Sequence, residues 1–186
     1  MNKAVFLDRD GTINIDKDYL YRTEDFEYLP GAVEGLRFFQ ERDFLLIVVT
    51  NQSGIARGYY TEEDYLALNK WMKEDLAKHG VKITASYYCP HLPDAPVSKY
   101  AIDCDCRKPG TGLYYRAAKD WNIDLDSSIA IGDRLRDLSI CETTGCRGIL
   151  FGSTNVEENI SERIQRAATW KDVIISSNGG RYAQTV

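Results

Sequence analysis

A chain of 186 residues, 44% hydrophobic and 27% charged, has enough apolar material for one domain with a substantial core and is marginal for two. A net charge of −5 argues against a general nucleic-acid binder, which carries a basic stripe. No stretch approaches the roughly 18 apolar residues of a membrane helix, and Met1-Asn2-Lys3 runs straight into an apolar segment with no signal-peptide pattern. The expectation is a cytoplasmic protein, and its odd total of five cysteines argues against a disulfide framework.

In chain order, Ala4-Val5-Phe6-Leu7 predicts a buried strand that delivers Asp8 and Asp10 at its C-terminal end, with Gly11 and Thr12 directly after. Residues 13–29 are polar and tyrosine-rich without a sustained period, which suggests a loop or flap over the strand end. Pro30-Gly31 opens a helix with Val33, Leu36 and Phe39 on one face, and Phe44 to Val49 is apolar throughout, as in a parallel strand covered on both sides. Thr61, followed by Glu62, Glu63 and Asp64, predicts a helix start; Tyr65, Leu68, Met72 and Leu76 repeat at helical spacing, and Gly80 closes the segment.

A third strand is expected over Ile83–Cys89, a loop over Pro90–Cys106, a helix over Pro109–Trp121 and a fourth strand over Ile129–Ile131. A helix carrying Leu135, Leu138 and Cys141 follows, then a fifth strand at Gly148–Phe151 and a short sixth at Asp172–Ile175. The alternation predicts a doubly wound, mostly parallel α/β sheet with helices on both faces, in a single domain over residues 1–175 with a tail over 176–186.

Polar residues that ordinary turns do not demand stand at three strand ends: Asp8 with Asp10, Thr50 with Asn51, and Asp133 with Asp137. Arg107-Lys108-Pro109 precedes a helix. Carboxylates gathered from separate strands repel unless a cation holds them, and an all-oxygen donor set favours Mg²⁺. One carboxylate beside that ion is a nucleophile toward phosphorus, while Lys108, Thr50 and the amides after it can cradle phosphoryl oxygens. Asp137 stands either behind this centre or as a first-turn acid of the next helix.

Separately, Cys89-Pro90-His91, twelve intervening residues and Cys104-Asp105-Cys106 form a three-thiolate, one-imidazole set. Four protein ligands leave no open position, so the ion would be structural Zn²⁺, and it would order a loop that holds three of the five prolines.

These motifs resemble, in order, those of the haloacid dehalogenase superfamily of phosphotransferases: Asp8-Arg9-Asp10-Gly11-Thr12, Thr50, Lys108, and Gly132-Asp133-Arg134-Leu135-Arg136-Asp137. The resemblance implies that Asp8 is the nucleophile and Asp10 the general acid and base. It implies that Thr50 and Lys108 bind the phosphoryl group, and that Mg²⁺ is held by Asp8, the Asp10 carbonyl and Asp133. An aspartate at the position of Asp10 marks the phosphatases of the superfamily.

Tyr88-Cys89-Pro90-His91, Cys104 to Pro109 and Thr50 to Gly58 are similar to the D-glycero-D-manno-heptose 1,7-bisphosphate 7-phosphatases, which lack a large cap domain. In that family the activity serves nucleotide-activated heptose synthesis. The histidinol-phosphate phosphatases share the scaffold. The resemblance implies that a flap with Asp16 and Tyr19, the loop of Asn51, Gln52, Ser53 and Arg57, and the zinc loop close over a small sugar bisphosphate. Arg107 and Arg134 would contact that substrate. From the acidic balance and the lack of a membrane-length apolar stretch, no nucleic-acid or membrane partner is expected, and a monomer is expected. Arg134 replaces a commoner lysine, and Pro109-Gly110-Thr111-Gly112 departs from the commoner histidine-proline-glycine run. A phosphosugar-binding protein without turnover is the rival of another class, disfavoured by the presence of both Asp8 and Asp10.

Overall fold

The computed structural model describes residues 1–152 and 161–177. The chain begins with β1 (Lys3–Leu7), α1 (Ala32–Gln40), β2 (Phe44–Asn51), α2 (Ser53–Ala56) and α3 (Glu62–Lys78). It continues with β3 (Ala85–Cys89), α4 (Gly112–Asp120), β4 (Ile129–Gly132), α5 (Ile140–Thr143), β5 (Arg147–Phe151), β6 (Ile164–Ala167) and α6 (Trp170–Ser177).

The six strands lie in the order β3-β2-β1-β4-β5-β6, and every pairing is parallel. Winding runs outward from β1 to β3, returns to β4 on the other flank of β1, and runs outward again. β1 and β4 therefore flank the reversal point, whose C-terminal crevice is where open α/β sheets bind ligands.

Alternation along the strands builds two cores. Val5, Leu7, Leu46, Val48, Ile129 and Ile131 pack with residues of α1, α3 and α6, whereas Ala4, Phe6, Ile47, Val49, Ala130 and Leu150 pack with α4 and α5. Burial on both sides is why these strands are apolar without polar alternation. Cys141 and Cys146 are buried in the second core. The start of α3 is as predicted: the Thr61 hydroxyl accepts from the Asp64 N–H (3.1 Å), and the Asp64 carboxylate accepts from the Thr61 N–H (2.8 Å). No large cap is evident among the described residues; the connection from β1 to α1 contains one 3-10 turn, Thr23–Asp25.

Three elements differ from expectation. The helix expected from Pro109 starts at Gly112, because Gly110 and Gly112 turn tightly against Asp105. The Gly112 N–H donates to the Asp105 carbonyl (3.0 Å), and a Cβ on Gly110 would lie 2.3 Å from that same oxygen. The helix expected after Asp133 is a 3-10 turn, Leu135–Leu138, followed by the four-residue α5.

Asp172–Ile175 is not a strand but part of α6; the sixth strand is Ile164–Ala167, paired with β5. A short apolar run is ambiguous between the two states, and here Thr169 and Asp172 settle it with reciprocal hydrogen bonds at the helix start. α6 also takes in Ser176 and Ser177, the start of the segment expected to be a tail; residues 178–186 lie outside the described residues. Trp170 of α6 presses on Gly35 of α1 and donates its indole N–H to the Thr12 carbonyl (2.9 Å), bracing the loop after β1.

Candidate active site

Asp8 leaves β1 with its N–H donating to the Ile131 carbonyl of β4 (3.0 Å). Its Oδ1 accepts from the Arg9 N–H (2.8 Å) and lies 2.9 Å from Lys108 Nζ. The Lys108 ammonium is buried; it also meets Asp137 Oδ1 (2.7 Å) and donates to the Val49 carbonyl (2.8 Å). Asn51 fixes the backbone of Lys108 by accepting from its N–H and donating to its carbonyl, each at 3.0 Å. The ends of β1 and β2 and the loop before α4 are thus joined through one ammonium.

Burial raises Asp8 to about 6, opposed by Lys108 and assisted by Asp137 and Asp10. Burial likewise raises Asp133 to about 7, with Asp8 and Asp137 adding to it and Arg134 opposing. For Lys108, burial alone would lower the pKa, but Asp8 and Asp137 outweigh it and hold the group charged.

Asp10 is held from three directions. Arg9 grips it with Nε–Oδ1 at 3.2 Å and Nη2–Oδ2 at 2.8 Å, Asn14 Nδ2 donates at 3.0 Å, and Gln52 Nε2 donates at 3.2 Å. Gln52 also donates to Thr50 Oγ1 (3.0 Å) and accepts from the Tyr60 hydroxyl.

Carboxylate oxygens of Asp8, Asp133 and Asp137 lie within 4.8 Å of one another. Both oxygens of Asp137 are engaged, one by Lys108 and the other by the Arg134 N–H (3.0 Å), whereas among the described residues Asp133 has only the half-exposed Arg134 side chain at 3.6 Å. Asp8 and Asp133 are therefore the carboxylates with capacity left for an ion, and an all-oxygen site with excess negative charge fits Mg²⁺. Gly11, at φ +77°, lets the chain pass this point, since a Cβ there would lie 2.5 Å from Asp133 Oδ2.

A cavity of about 270 Å³ opens over this centre. Among the residues expected to bind substrate, Asp16, Tyr19, Thr50, Asn51, Gln52, Ser53, Arg57, Arg107 and Arg134 all line it, together with Asp8, Asp10 and Asp133. Lys108 lies beneath Asp8 and is not part of the wall. Asn51 and Gln52 spend their side-chain amides on Lys108, Asp10 and Thr50.

Aromatic contacts join the flap to the connection between α2 and α3: Tyr19 meets Tyr59 edge to face, with ring centres 4.7 Å apart, and Tyr21 stacks on Tyr60 at 5.3 Å. Sequence reasoning misses Arg9, Asn14 and Arg136. Arg136 enters the wall because its segment is a 3-10 turn, and an arginine set between the two acids of Asp8-Arg9-Asp10 was an available signal for Arg9.

The second constellation assembles at the end of β3. Cys106 Sγ lies 3.1 Å from both Cys89 Sγ and Cys104 Sγ, and His91 Nδ1 lies 3.4 Å from Cys106 Sγ. All four donor atoms fall within 4.8 Å of one another. Burial raises the Cys106 thiol to about 11 and pushes Cys89 higher still. The donor set and its compactness suit tetrahedral Zn²⁺, which would carry the thiols as thiolates. Arg107, next along the chain, donates Nη1–H to the His91 carbonyl (3.2 Å), so this loop sets the direction of an arginine in the cavity wall.

A parallel sheet with an aspartate pair at its reversal point, a lysine against the first aspartate and a further aspartate on the neighbouring strand defines a haloacid dehalogenase-like hydrolase, and the HAD-hydrolase-like family model matches residues 105–174. The chain is 47% identical over 146 residues to D-glycero-beta-D-manno-heptose-1,7-bisphosphate 7-phosphatase of Haemophilus ducreyi, covering 78% of this chain and 80% of that protein. It is 48% identical over 136 residues to the alpha-heptose counterpart of Campylobacter jejuni, covering 73% and 74%. The crystal structure of D,D-heptose 1,7-bisphosphate phosphatase from B. bronchiseptica, complexed with magnesium and phosphate, superposes with a TM-score of 0.81 at 30% identity, covering 95% of this chain and 98% of that one. The chain belongs to the heptose-1,7-bisphosphate 7-phosphatase family of HAD hydrolases.

Proposed function

We propose that this protein is a Mg²⁺-dependent phosphatase that removes the 7-phosphate of D-glycero-D-manno-heptose 1,7-bisphosphate, leaving heptose 1-phosphate. The observation that carries this reading is one cavity wall holding both the aspartate centre and four arginines, Arg57, Arg107, Arg134 and Arg136. The aspartate centre suits a phosphoryl group undergoing transfer, and the arginines suit a second phosphate that stays on the sugar. Histidinol phosphate, with one phosphate and an imidazole, would bring no second phosphate to those arginines. Among the described residues no helix is long and apolar enough to cross a membrane.

Asp8 attacks phosphorus, a bond forms between its carboxylate oxygen and phosphorus, and the bond to the sugar oxygen breaks. Asp10 gives its proton to that oxygen. It then takes a proton from water, whose oxygen attacks the aspartyl-phosphate and releases inorganic phosphate with Asp8 restored. Lys108 keeps Asp8 ionised against its burial, and Thr50 with the following amides receives the phosphoryl oxygens. Magnesium held by Asp8, Asp133 and the Asp10 carbonyl would neutralise charge on the phosphoryl oxygens. Cys89, His91, Cys104 and Cys106 would hold a structural zinc ion that keeps Arg107 and Lys108 in place.

The test is phosphate release with Mg²⁺ from both anomers of the heptose bisphosphate and from histidinol phosphate. Selective cleavage of one heptose anomer is expected. Preference for histidinol phosphate would overturn the substrate, and silence on all three would overturn the activity.

A further inference from the structure

Arg9 is among the largest fully buried side chains of the protein, at 1% exposure, and it sits between the two catalytic aspartates in the sequence. Its guanidinium faces away from the cavity. Besides its grip on Asp10, it donates Nη2–H to the Leu20 carbonyl of the flap (3.0 Å), approaches Gln52 Oε1 (3.5 Å) and lies over the Tyr65 ring at 5.8 Å. Asp10, by contrast, keeps 21% of its side chain open, on the cavity side.

Nη1 of Arg9 is buried with no hydrogen-bond partner among the described residues. A buried ion pair that leaves an N–H unsatisfied contributes little net stability, and apolar residues of similar volume often serve a fold as well. The fold alone therefore does not account for this guanidinium. Its geometry does account for the orientation of Asp10: a planar fork fixes both carboxylate oxygens, which a single ammonium cannot do.

We infer that Arg9 is a positioning residue for Asp10, locking the carboxyl in the orientation from which it reaches the leaving-group oxygen and tying that orientation to the flap through Leu20. The inference rests on the assignment of Asp10 as the acid.

Arg9→Met and Arg9→Lys are assayed on the heptose bisphosphate and on an aryl phosphate, p-nitrophenyl phosphate, whose leaving group needs no proton; kcat is taken as the rate of leaving-group release in a single turnover, so that the later step in which Asp10 acts as base does not enter. On the sugar substrate, kcat is expected to fall about 10- to 100-fold with KM changed less than about 3-fold, the usual scale for a misplaced proton donor. On the aryl substrate the loss shrinks to a few-fold, and Arg9→Lys retains more activity than Arg9→Met. Adding Arg9→Lys to Asp10→Asn changes kcat no further than about 2-fold, since the two act as one unit.

Equal losses on both substrates, or wild-type kcat in a folded variant, would overturn the inference. Should Arg9→Met fail to fold by circular dichroism, Arg9→Lys, which keeps the charge without the fork, carries the test. Asp10→Asn alone separates the two assignments. A uniform loss on both substrates by Asp10→Asn removes the acid role itself, whereas a leaving-group-dependent loss there with a uniform loss in Arg9→Lys removes only the role of Arg9.

Discussion

The aspartate centre and the cysteine–histidine cluster solve the same electrostatic problem in opposite ways. Each gathers groups that repel once ionised. At the centre, Lys108 supplies an internal cation, regular strands deliver Asp8 and Asp133, and one side opens on the cavity. In the cluster the four ligands come from the end of β3 and an irregular loop, and the thiol pKa values are pushed up by burial. The centre carries its own cation in Lys108, and the proposed zinc ion would play that part in the cluster.

The largest effect that sharpens this contrast is Asp8→Asn. Turnover should fall below detection while circular dichroism stays native and the metal-free Tm stays level or rises, because a carboxylate that burial makes hard to ionise has been removed. Near-wild-type phosphate release would overturn the nucleophile assignment.

Cys104→Ser should do the reverse, acting on shape first. Zinc content by elemental analysis should drop to background, with a stability loss of about 2 kcal/mol, or roughly 4–8 °C in Tm. Activity should weaken through displacement of Arg107 and Lys108. Zinc content equal to wild type would break the contrast.

The smallest effect is in pH. Asp8 at about 6 and Asp133 at about 7 bind protons more tightly when folded than when unfolded. The metal-free protein should therefore gain stability as pH falls from about 7 toward 4, and level off below the unfolded carboxylate range. Magnesium competes with those protons, so the Tm gain it confers should be greatest above pH 7 and fade through pH 6. A gain independent of pH would mean that neither carboxylate binds the ion.

The residues that meet at the cavity were legible in the sequence because each follows a continuous apolar run: Asp8 after Phe6-Leu7, Thr50 after Val48-Val49, and Asp133 after Ile131-Gly132. The convergence of Cys89, His91, Cys104 and Cys106 was legible by spacing. β6 was not, since Ile164-Gln165-Arg166-Ala167 is an edge strand with two exposed polar residues and little apolar signal. α6 hid behind its apolar run, although Thr169 and Asp172 at capping spacing announced it. Gln52 and Asn51 were expected to meet substrate; that their amides hold Asp10, Thr50 and Lys108 follows from tertiary contacts that no local pattern encodes.

The hydrogen bond from Trp170 to the Thr12 carbonyl has a consequence for biosynthesis. Asp8 directly follows β1, whereas the brace behind its loop comes from α6, 158 residues beyond Thr12. A nascent chain carries Asp8 without Asp133 beside it or Trp170 behind it until the residues between have been made. The aspartate centre therefore gains its full support only once α6 has emerged, and premature termination before α6 leaves a chain with every motif present and its first loop unsupported.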